Sequence, residues 1–238
     1  MSDFPPQLPH GEFREIFSDV FFLKGQIRIE ADPVSEFSRN MVVIRDHRSL
    51  TLVNTIRLDE AGLAALDALG TVSNIVKLGA FHGRDDAFYV DRYGADLWAQ
   101  AGMTYTRGEK TDHELANGLT GPNPDSTAFV FDTPKLPESI LHLKRHRGVI
   151  ITCDSFQNML GPDEYFNAAA AEAKARLGFF KKAVIGPGWR KFAEPKTEDI
   201  EQVLKLEFQH LLSAHGEPLL DNAYAAVSDT ISEFPAKS

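Results

Sequence analysis

The sequence is poor in cysteine and in long apolar runs. Cys153 is the single cysteine among 238 residues, which excludes an internal disulfide and a zinc site built from several cysteines. It lies in the apolar run 149–153, which predicts a buried free thiol. No apolar stretch approaches the roughly 18 residues that a membrane span needs. Residues 1–10 are proline-rich and lack an apolar segment, so we expect no secretory signal, a cytoplasmic location and no membrane partner.

Basic residues are outnumbered by acidic ones. The sequence has 25 Lys and Arg against 34 Asp and Glu, a formal net charge of −9. Because an acidic surface repels phosphate backbones, we expect no nucleic-acid partner. The sequence contains no internal repeat and no linker, so we predict a single domain over residues 1–238, with 1–15 as an extended tail. A chain of this size buries about 70% of its extended surface on folding, a core that needs no covalent staples.

The first part of the sequence alternates β-type and helical patterns. Two hairpins are predicted, one with strands 20–23 and 26–29 around the turn Lys24-Gly25, and one with strands 41–44 and 50–54. Asp59 can cap a following helix. A strand at 75–78, a helix at 87–93 and a strand at 96–99 complete a βαβαβ succession, which predicts a layered α/β architecture.

The second part continues the mixed pattern. Strands are predicted at 128–131, 139–143, 148–153 and 208–213, and helices at 164–177, 197–206 and 222–233. The segment Gly186-Pro187-Gly188 lacks the spacing of a phosphate-binding loop and predicts a tight turn. Trp189 and Arg190 after it are candidates for the rim of a pocket.

Three polar residues stand at the ends of predicted strands, namely His82, Asp154 and His215. Functional side chains in layered α/β folds are commonly placed there, because the sheet holds them while the loops vary. Imidazole and carboxylate groups are also ligands that zinc accepts. Taken singly, Asp154 has the alternative interpretation of a turn or helix cap, and His215 that of a strand cap.

Taken in this order, the patterns resemble those of the metallo-β-lactamase superfamily, over residues 21–231. Two hairpins, a helix and a strand entering a histidine-bearing loop come first. The apolar strand 150–153 then ends in Asp154, and the segment 211–216 ends in His215-Gly216. The resemblance implies a four-layer αββα sandwich with mixed sheets, and a metal-dependent hydrolase. The similarity is greatest to an uncharacterised branch whose first motif is eroded.

The motif of that superfamily is His-x-His-x-Asp-His, and this sequence departs from it. Aligned without a gap, His82 matches the second histidine, Ala80 replaces the first, Arg84 the aspartate and Asp85 the last histidine. With one inserted residue, Asp85 falls on the aspartate and Asp86 on the last histidine. The first histidine is lost in both registers. We therefore expect at most one metal ion, with zinc, iron or manganese as candidates.

The resemblance also implies roles for individual residues. The implied metal ligands are His82, Asp154 and His215, completed by His142 or Asp86. Asp85 would orient or deprotonate the metal-bound water in the register with the insertion. In the gapless register, Arg84 would pair with Asp154 and replace a second metal. His142 also has the interpretation of an ordinary strand residue.

Three functions remain open from the sequence. The first is a hydrolase with a mononuclear or atypical metal site, acting on a small-molecule ester, thioester, lactone or phosphodiester. The second is a metal-free pseudoenzyme of the same fold that binds a ligand or a protein. The third is metal-free chemistry in which His82 forms an acid/base pair with Asp85 or Asp86.

Overall fold

Two β-sheets that face each other form the centre of the fold. The computed structural model describes residues 4–234. The strands are β1 Arg14–Phe17, β2 Val20–Ile29, β3 Ser35–Asp46, β4 Ser49–Val53, β5 Thr71–Lys77, β6 Asp96–Ala99, β7 His113–Glu114, β8 Ser126–Val130, β9 Ser139–Leu143, β10 Val149–Thr152, β11 Gln157–Met159, β12 Lys181–Val184 and β13 His210–Ser213. The helices are α1 Glu60–Leu69, α2 Asp86–Tyr93, α3 Ala168–Arg176, α4 Pro187–Ala193, α5 Thr197–Glu201 and α6 Ala223–Ser232, with a 3₁₀ turn at Gln202–Lys205.

The first sheet has seven strands in the order β1 to β7. The hairpin predicted between β3 and β4 is confirmed, with Asp46 opposite Ser49 across a two-residue turn. Strands β4, β5 and β6 run parallel, joined by α1 and α2, which confirms the βαβαβ succession. The predicted cap of α1 is also confirmed, since the Asp59 carboxylate accepts from the Gly62 amide at 2.7 Å.

Alternation of apolar residues explains why the first sheet is covered on both faces. In β3, Val42 and Ile44 are buried against the second sheet, whereas Met41 and Val43 are buried in a different cluster with Leu63 of α1. Successive strand residues point to opposite faces. A strand that is apolar at consecutive positions therefore requires a layer on each side, here a helix layer and a sheet.

The second sheet has the order β13-β10-β9-β8, and β13 runs parallel to β10. Val149 and Ile151 of β10 face the first sheet, and Ile150 faces a cluster that includes Trp189 of α4 and Val227 of α6. The layers are thus helices, sheet, sheet, helices. This confirms the predicted four-layer αββα sandwich with mixed sheets.

The turn predicted at Lys24-Gly25 is wrong, because β2 runs without interruption through both residues. Gly25 is needed for a close approach and not for a reversal of the chain. A Cβ added there would lie 3.0 Å from the Cβ of His10 and 3.2 Å from the carbonyl oxygen of Pro9. The glycine therefore makes room for the segment that precedes β1.

Two further predictions differ from the structure. Of the tail predicted at 1–15, residues 1–3 lie outside the described part, Pro9 and Gly11 hydrogen-bond to β2, and β1 already begins at Arg14. The tight turn predicted at Gly186-Pro187-Gly188 is the start of α4, with Pro187 at its first position, where a missing N–H is harmless.

Within residues 4–234, no helix combines the length and the apolar character that crossing a membrane requires.

Gly148, which leads into β10, is expected to be a weak point for substitution. Its φ is +85°, and an added Cβ would overlap the carbonyl oxygen of Glu207. Gly94 has a φ of +64° but nothing within 4 Å of an added Cβ. Gly94→Ala should therefore cost only the left-handed strain of about 1–2 kcal/mol, and Gly148→Ala should lower the free energy of unfolding by more. Urea denaturation of both variants measures the difference; equal losses would contradict the packing argument.

Candidate metal centre

The ends of β10 and β13 place two of the candidate ligands side by side. Thr152 of β10 lies opposite Ser213 of β13 in parallel register. Asp154 and His215 each follow two residues later, so the two side chains leave the same edge of the sheet. His82 reaches them from the loop after β5, and its carbonyl oxygen accepts a hydrogen bond from the buried ammonium of Lys77. Asp154 and His215 are buried, and His82 is largely so.

His82, Asp154 and His215 lie in mutual contact. The Nε2 atoms of His82 and His215 are 3.2 Å apart. Nε2 of His82 is 3.3 Å from one oxygen of Asp154, and Nε2 of His215 is 3.6 Å from the other. Zinc–ligand bonds of roughly 2.0–2.2 Å in a tetrahedron separate the ligand atoms by about 3.3–3.6 Å. The three groups therefore fit one face of a tetrahedral metal site.

The ring of His215 is held in the form that a metal requires. Its Nδ1 lies 3.0 Å from the carbonyl oxygen of Ser38, to which it donates. The proton is then on Nδ1, and the lone pair of Nε2 faces His82 and Asp154. Burial lowers the pKa of His215 to about 3, so the ring is neutral at physiological pH. A neutral imidazole is the ligand form of histidine.

Asp154 is ionised in the same site. Burial alone opposes its ionisation, but His82 by charge and hydrogen bonding, then His215 and Lys174, hold the pKa of this carboxyl well below its usual range. Gln157 donates a further hydrogen bond to Asp154 at 2.7 Å. A carboxylate with these partners keeps its negative charge in a buried position, as a metal ligand must.

Two groups that sequence reasoning did not assign to the site lie next to Asp154. The thiol of Cys153 joins His82 and Asp154 in a group whose donor atoms all lie within 4.8 Å of one another. The buried carboxyl of Glu138 accepts from the Ser155 amide. Burial, and then the charge of Asp154, raise the pKa of Glu138 and of the Cys153 thiol well above their usual values. Both shifts favour the protonated forms of the two groups beside the carboxylate.

Gly79 explains how these two groups fit. A Cβ at this position would lie 2.7 Å from the Cys153 sulfur and 3.0 Å from a Glu138 oxygen. The absence of a side chain directly after β5 thus leaves the space that Cys153 and Glu138 fill.

A cavity of about 270 Å³ opens onto the three candidate ligands. Its lining includes the apolar side chains of Phe37, Phe179 and Trp189 and the ammonium-bearing Lys174 of α3. The Lys174 nitrogen lies 3.8 Å from the ring centre of Phe37 and 3.9 Å from that of Phe179. Burial lowers the pKa of Lys174 to about 8, opposed by the charge of Asp154. Of the two predicted rim residues, Trp189 lines this cavity, whereas Arg190 lines a neighbouring groove.

Asp85 is engaged in a buried ion-pair network. One of its oxygens pairs with Arg39 and accepts from the Arg57 amide at 3.0 Å, and the other accepts from Arg84 at 2.7 Å. Because both oxygens have partners, the structure gives Asp85 no free edge toward a metal-bound water. The predicted pairing of Arg84 with Asp154 is also absent among the described contacts, since Arg84 bonds to Asp85 and to the carbonyl of Pro6.

The structure does not bring Asp86 or His142 to the metal centre. Asp86 accepts from the hydroxyl of Thr55 at 2.6 Å, and burial raises its pKa. His142 lies opposite Ile150 in the β9–β10 pair. Ile150 precedes Asp154 by four residues, which is a distance of about 13 Å along a strand. Its Nε2 contacts the carbonyl of Glu207 at 2.9 Å. The position of His142 depends on the strand register, which the sequence does not give.

A signal for one missed residue was nonetheless present. In an antiparallel pair, the sequence numbers of opposite residues have a constant sum, and the pairing of Leu141 with Ile151 places Glu138 across from Asp154. Had the β9–β10 turn been assigned its register, Glu138 would have replaced His142 as the strand residue beside the site. For Lys174 we find no such local signal, because its position over the cavity depends on how α3 packs.

Similar proteins were found among solved structures but not by sequence. No protein-family model matches the chain, and no curated protein matches it. The solved DIM-1 metallo-β-lactamase matches with a TM-score of 0.65 and 13% identity, covering 94% of this chain and 97% of that chain. The FIM-1 metallo-β-lactamase from Pseudomonas aeruginosa, in its mono-zinc form, matches with a TM-score of 0.53 and 16% identity, covering 97% and 98%.

A second kind of protein shares the fold. A flavo di-iron protein mutant from Thermotoga maritima matches with a TM-score of 0.65 and 15% identity over 95% of this chain, which spans 62% of that chain. The layer order and the strand order define an αββα protein. Its candidate ligands lie at one edge of the two sheets. The chain has the same fold as the metallo-β-lactamases, as its motifs predicted. Identities of this size establish the fold and leave the activity to the site.

Metal binding can be tested through His215. The wild-type chain, prepared without a chelating tag, is expected to bind close to one equivalent of zinc. His215→Ala should lose most of this zinc, because the substitution removes one of the three ligands. His47→Asn is the matched control, since the side chain of His47 is 97% exposed in a turn with a φ of +55°, which Asn tolerates. Elemental analysis after dialysis gives the stoichiometry. Equal metal content in all three proteins would contradict the site.

Asp85 allows a structural role to be separated from a catalytic one. Asp85→Asn is expected to lower the free energy of unfolding by about 3 kcal/mol or more, because the buried Arg39 loses its counter-ion. Its zinc content should remain that of the wild type. The exposed Asp132→Asn serves as the control. Denaturant unfolding and elemental analysis report the two quantities; loss of metal without loss of stability would restore Asp85 to the metal site.

Proposed function

We propose that this protein is a metal-dependent hydrolase with a mononuclear centre held by His82, Asp154 and His215. The observation that carries the proposal is the set of contacts of 3.2, 3.3 and 3.6 Å among these three residues. Their spacing suits a tetrahedral ion, and the protonation states of His215 and Asp154 suit a ligand set. The shared fold with metallo-β-lactamases, one of them solved in a mono-zinc form, supports the same interpretation.

The chemistry follows from the properties of such a centre. A bound zinc ion, or iron or manganese in its place, lowers the pKa of a coordinated water toward about 7 and polarises the oxygen of the scissile group. In hydrolysis, the water oxygen bonds to the acyl or phosphoryl centre, the bond to the leaving group breaks, and the leaving group takes a proton. Asp154 contributes the negative charge, and His215 is fixed by Ser38 so that its lone pair stays directed inward.

The remaining donors complete the description of the site. Cys153 lies within reach as a further ligand, since its sulfur is 3.9 Å from Asp154, and it would have to lose its proton on binding. The raised pKa of Glu138 favours its protonated form beside Asp154. The cavity above these residues has room for a small molecule against its apolar wall. Esters, thioesters, lactones and phosphodiesters are the substrate classes that this chemistry serves.

The two alternatives have less support. The metal-free acid/base pair requires Asp85 or Asp86 beside His82, but Asp85 is bound by Arg39 and Arg84, and the described hydrogen bond of the Asp86 carboxylate is to Thr55 and not to His82. A pseudoenzyme would have no need to keep three donors at ligand spacing in a solvent-accessible cavity. It remains the outcome that a negative experiment would establish.

Hydrolysis is tested with a panel of 4-nitrophenyl esters, a thioester, a lactone and bis-4-nitrophenyl phosphate. Turnover of at least one class is expected with zinc, iron or manganese. Asp154→Asn should reduce kcat/KM by more than about 100-fold, because loss of a ligand exceeds the effect of outer-shell changes. Asp132→Asn should leave it unchanged.

Two results would reject the hydrolase. One is activity that survives exhaustive chelation and Asp154→Asn alike. The other is a metal-free protein whose melting temperature does not change when zinc, iron or manganese is added, since a ligand that binds only the folded state must stabilise it. The second result would establish the pseudoenzyme.

A further inference from the structure

The side chain of Lys174 forms no hydrogen bond and no ion pair within 4.0 Å among residues 4–234. It lines the cavity above the metal centre, where the charge of Asp154 acts on it without an ion pair. Its contacts are the aromatic faces of Phe37 and Phe179. Cation–π contacts hold the ammonium group in place but leave its N–H donors unused.

The two arginines at this cavity already have an ion-pair partner. Arg39 and Arg84 also line it, but both are paired with Asp85. A structural role for a lysine is normally visible as such a pair. Lys174 differs because it is anchored through its aliphatic and aromatic surroundings while its charge stays available to the cavity.

The cavity wall around Lys174 is apolar. Phe37, Phe179 and Trp189 line it, together with Ile27 and Ile29. At the mouth, Phe81 is 51% exposed and meets Phe192, which is 56% exposed, edge to face. An apolar surface that continues from the cavity to its rim is suited to an acyl or aryl group.

The chain segment that carries Lys174 has an unusual charge. Residues 173–193 contain six basic residues, namely Lys174, Arg176, Lys181, Lys182, Arg190 and Lys191, and no acidic residue, although the whole sequence has a net charge of −9. This segment supplies Lys174, Phe179 and Trp189 to the cavity, whereas Lys181, Lys182 and Arg190 line a neighbouring groove. Positive charge beside the cavity of an acidic protein attracts anionic ligands toward it.

We propose that the substrate is an anionic amphiphile, with a carboxylate or phosphate attached to an apolar acyl or aryl body, and that Lys174 binds the anionic group. The proposal rests on the proposed hydrolase function, since only an enzyme has a substrate. The apolar body packs against Phe37, Phe179 and Trp189, and the bond to be cleaved lies toward His82. Lys174 is thus a specificity-determining residue that does not touch the reacting atoms.

A binding experiment tests the proposal without turnover. Isothermal titration calorimetry compares 4-phenylbutyrate with the neutral 4-phenylbutyramide on the full-length chain, before and after chelator treatment. The acid is expected to bind at least about tenfold more tightly, the value of one charge-assisted hydrogen bond. Lys174→Met, which keeps the aromatic contacts, should abolish this preference. Lys205→Met, at an exposed lysine of the 3₁₀ turn, should retain it.

Turnover of a matched pair of esters gives the second measurement. Mono-4-nitrophenyl glutarate is anionic, and 4-nitrophenyl valerate is neutral and of similar length. Lys174→Met is expected to raise KM for the anionic ester at least about tenfold more than for the neutral one. A general loss of packing would raise both KM values together.

The outcomes separate the two proposals. Equal binding of acid and amide by the wild type, or equal effects of Lys174→Met on both members of each pair, would overturn the role of Lys174. Hydrolysis of neither ester, with the binding preference intact and sensitive to Lys174→Met, would instead reject the hydrolase and leave an anion-binding cavity.

Discussion

The parallel pairing of β10 with β13 is the constraint on which the site depends. Hydrogen bonds between these strands fix Thr152 opposite Ser213, and only in this register do Asp154 and His215 leave the sheet together. A shift by one residue would turn one of the two side chains to the other face. Asn40 reinforces the register from the first sheet, since its side-chain amide donates to the carbonyls of Ser213 and Gly216. Thus both sheets of the sandwich hold the segment that carries His215.

Burial and close contacts give His215 and Asp154 their electrostatic character. In water, an imidazole would be partly protonated near neutral pH and an aspartate would be strongly hydrated. In the site, the low polarity of the surroundings keeps His215 neutral, and the contact with His82 keeps Asp154 ionised. Such a group of lone pairs and negative charge is costly to assemble unless a cation completes it. The same reasoning distinguishes Asp85, whose charge is matched by arginines and which therefore stabilises the fold.

Local patterns and long-range packing differ in how far the sequence reveals them. The ends of apolar strands identified Asp154 and His215, and the cap at Asp59 identified the start of α1, because each of these signals lies within a few residues. His142 of β9 was predicted as a ligand, whereas Glu138, which directly precedes β9, lies beside Asp154; only the strand register distinguishes the two positions. Gly25 was interpreted as a turn, although its purpose is contact with a segment distant in the sequence. Lys174 was hidden in an alanine-rich helix whose position only the folded chain defines.

The segment before β1 has a consequence for behaviour in solution. β2 is ten residues long and β1 covers only part of it, so the remainder would be an open sheet edge. Pro9 and Gly11 occupy that edge through hydrogen bonds with Gln26 and Lys24, and Pro9 has no N–H to offer outward. Open edges recruit strands from other molecules and begin aggregation. The proline-containing segment covers the edge at Lys24 and Gln26, and there it occupies the groups to which a strand of another copy could bind.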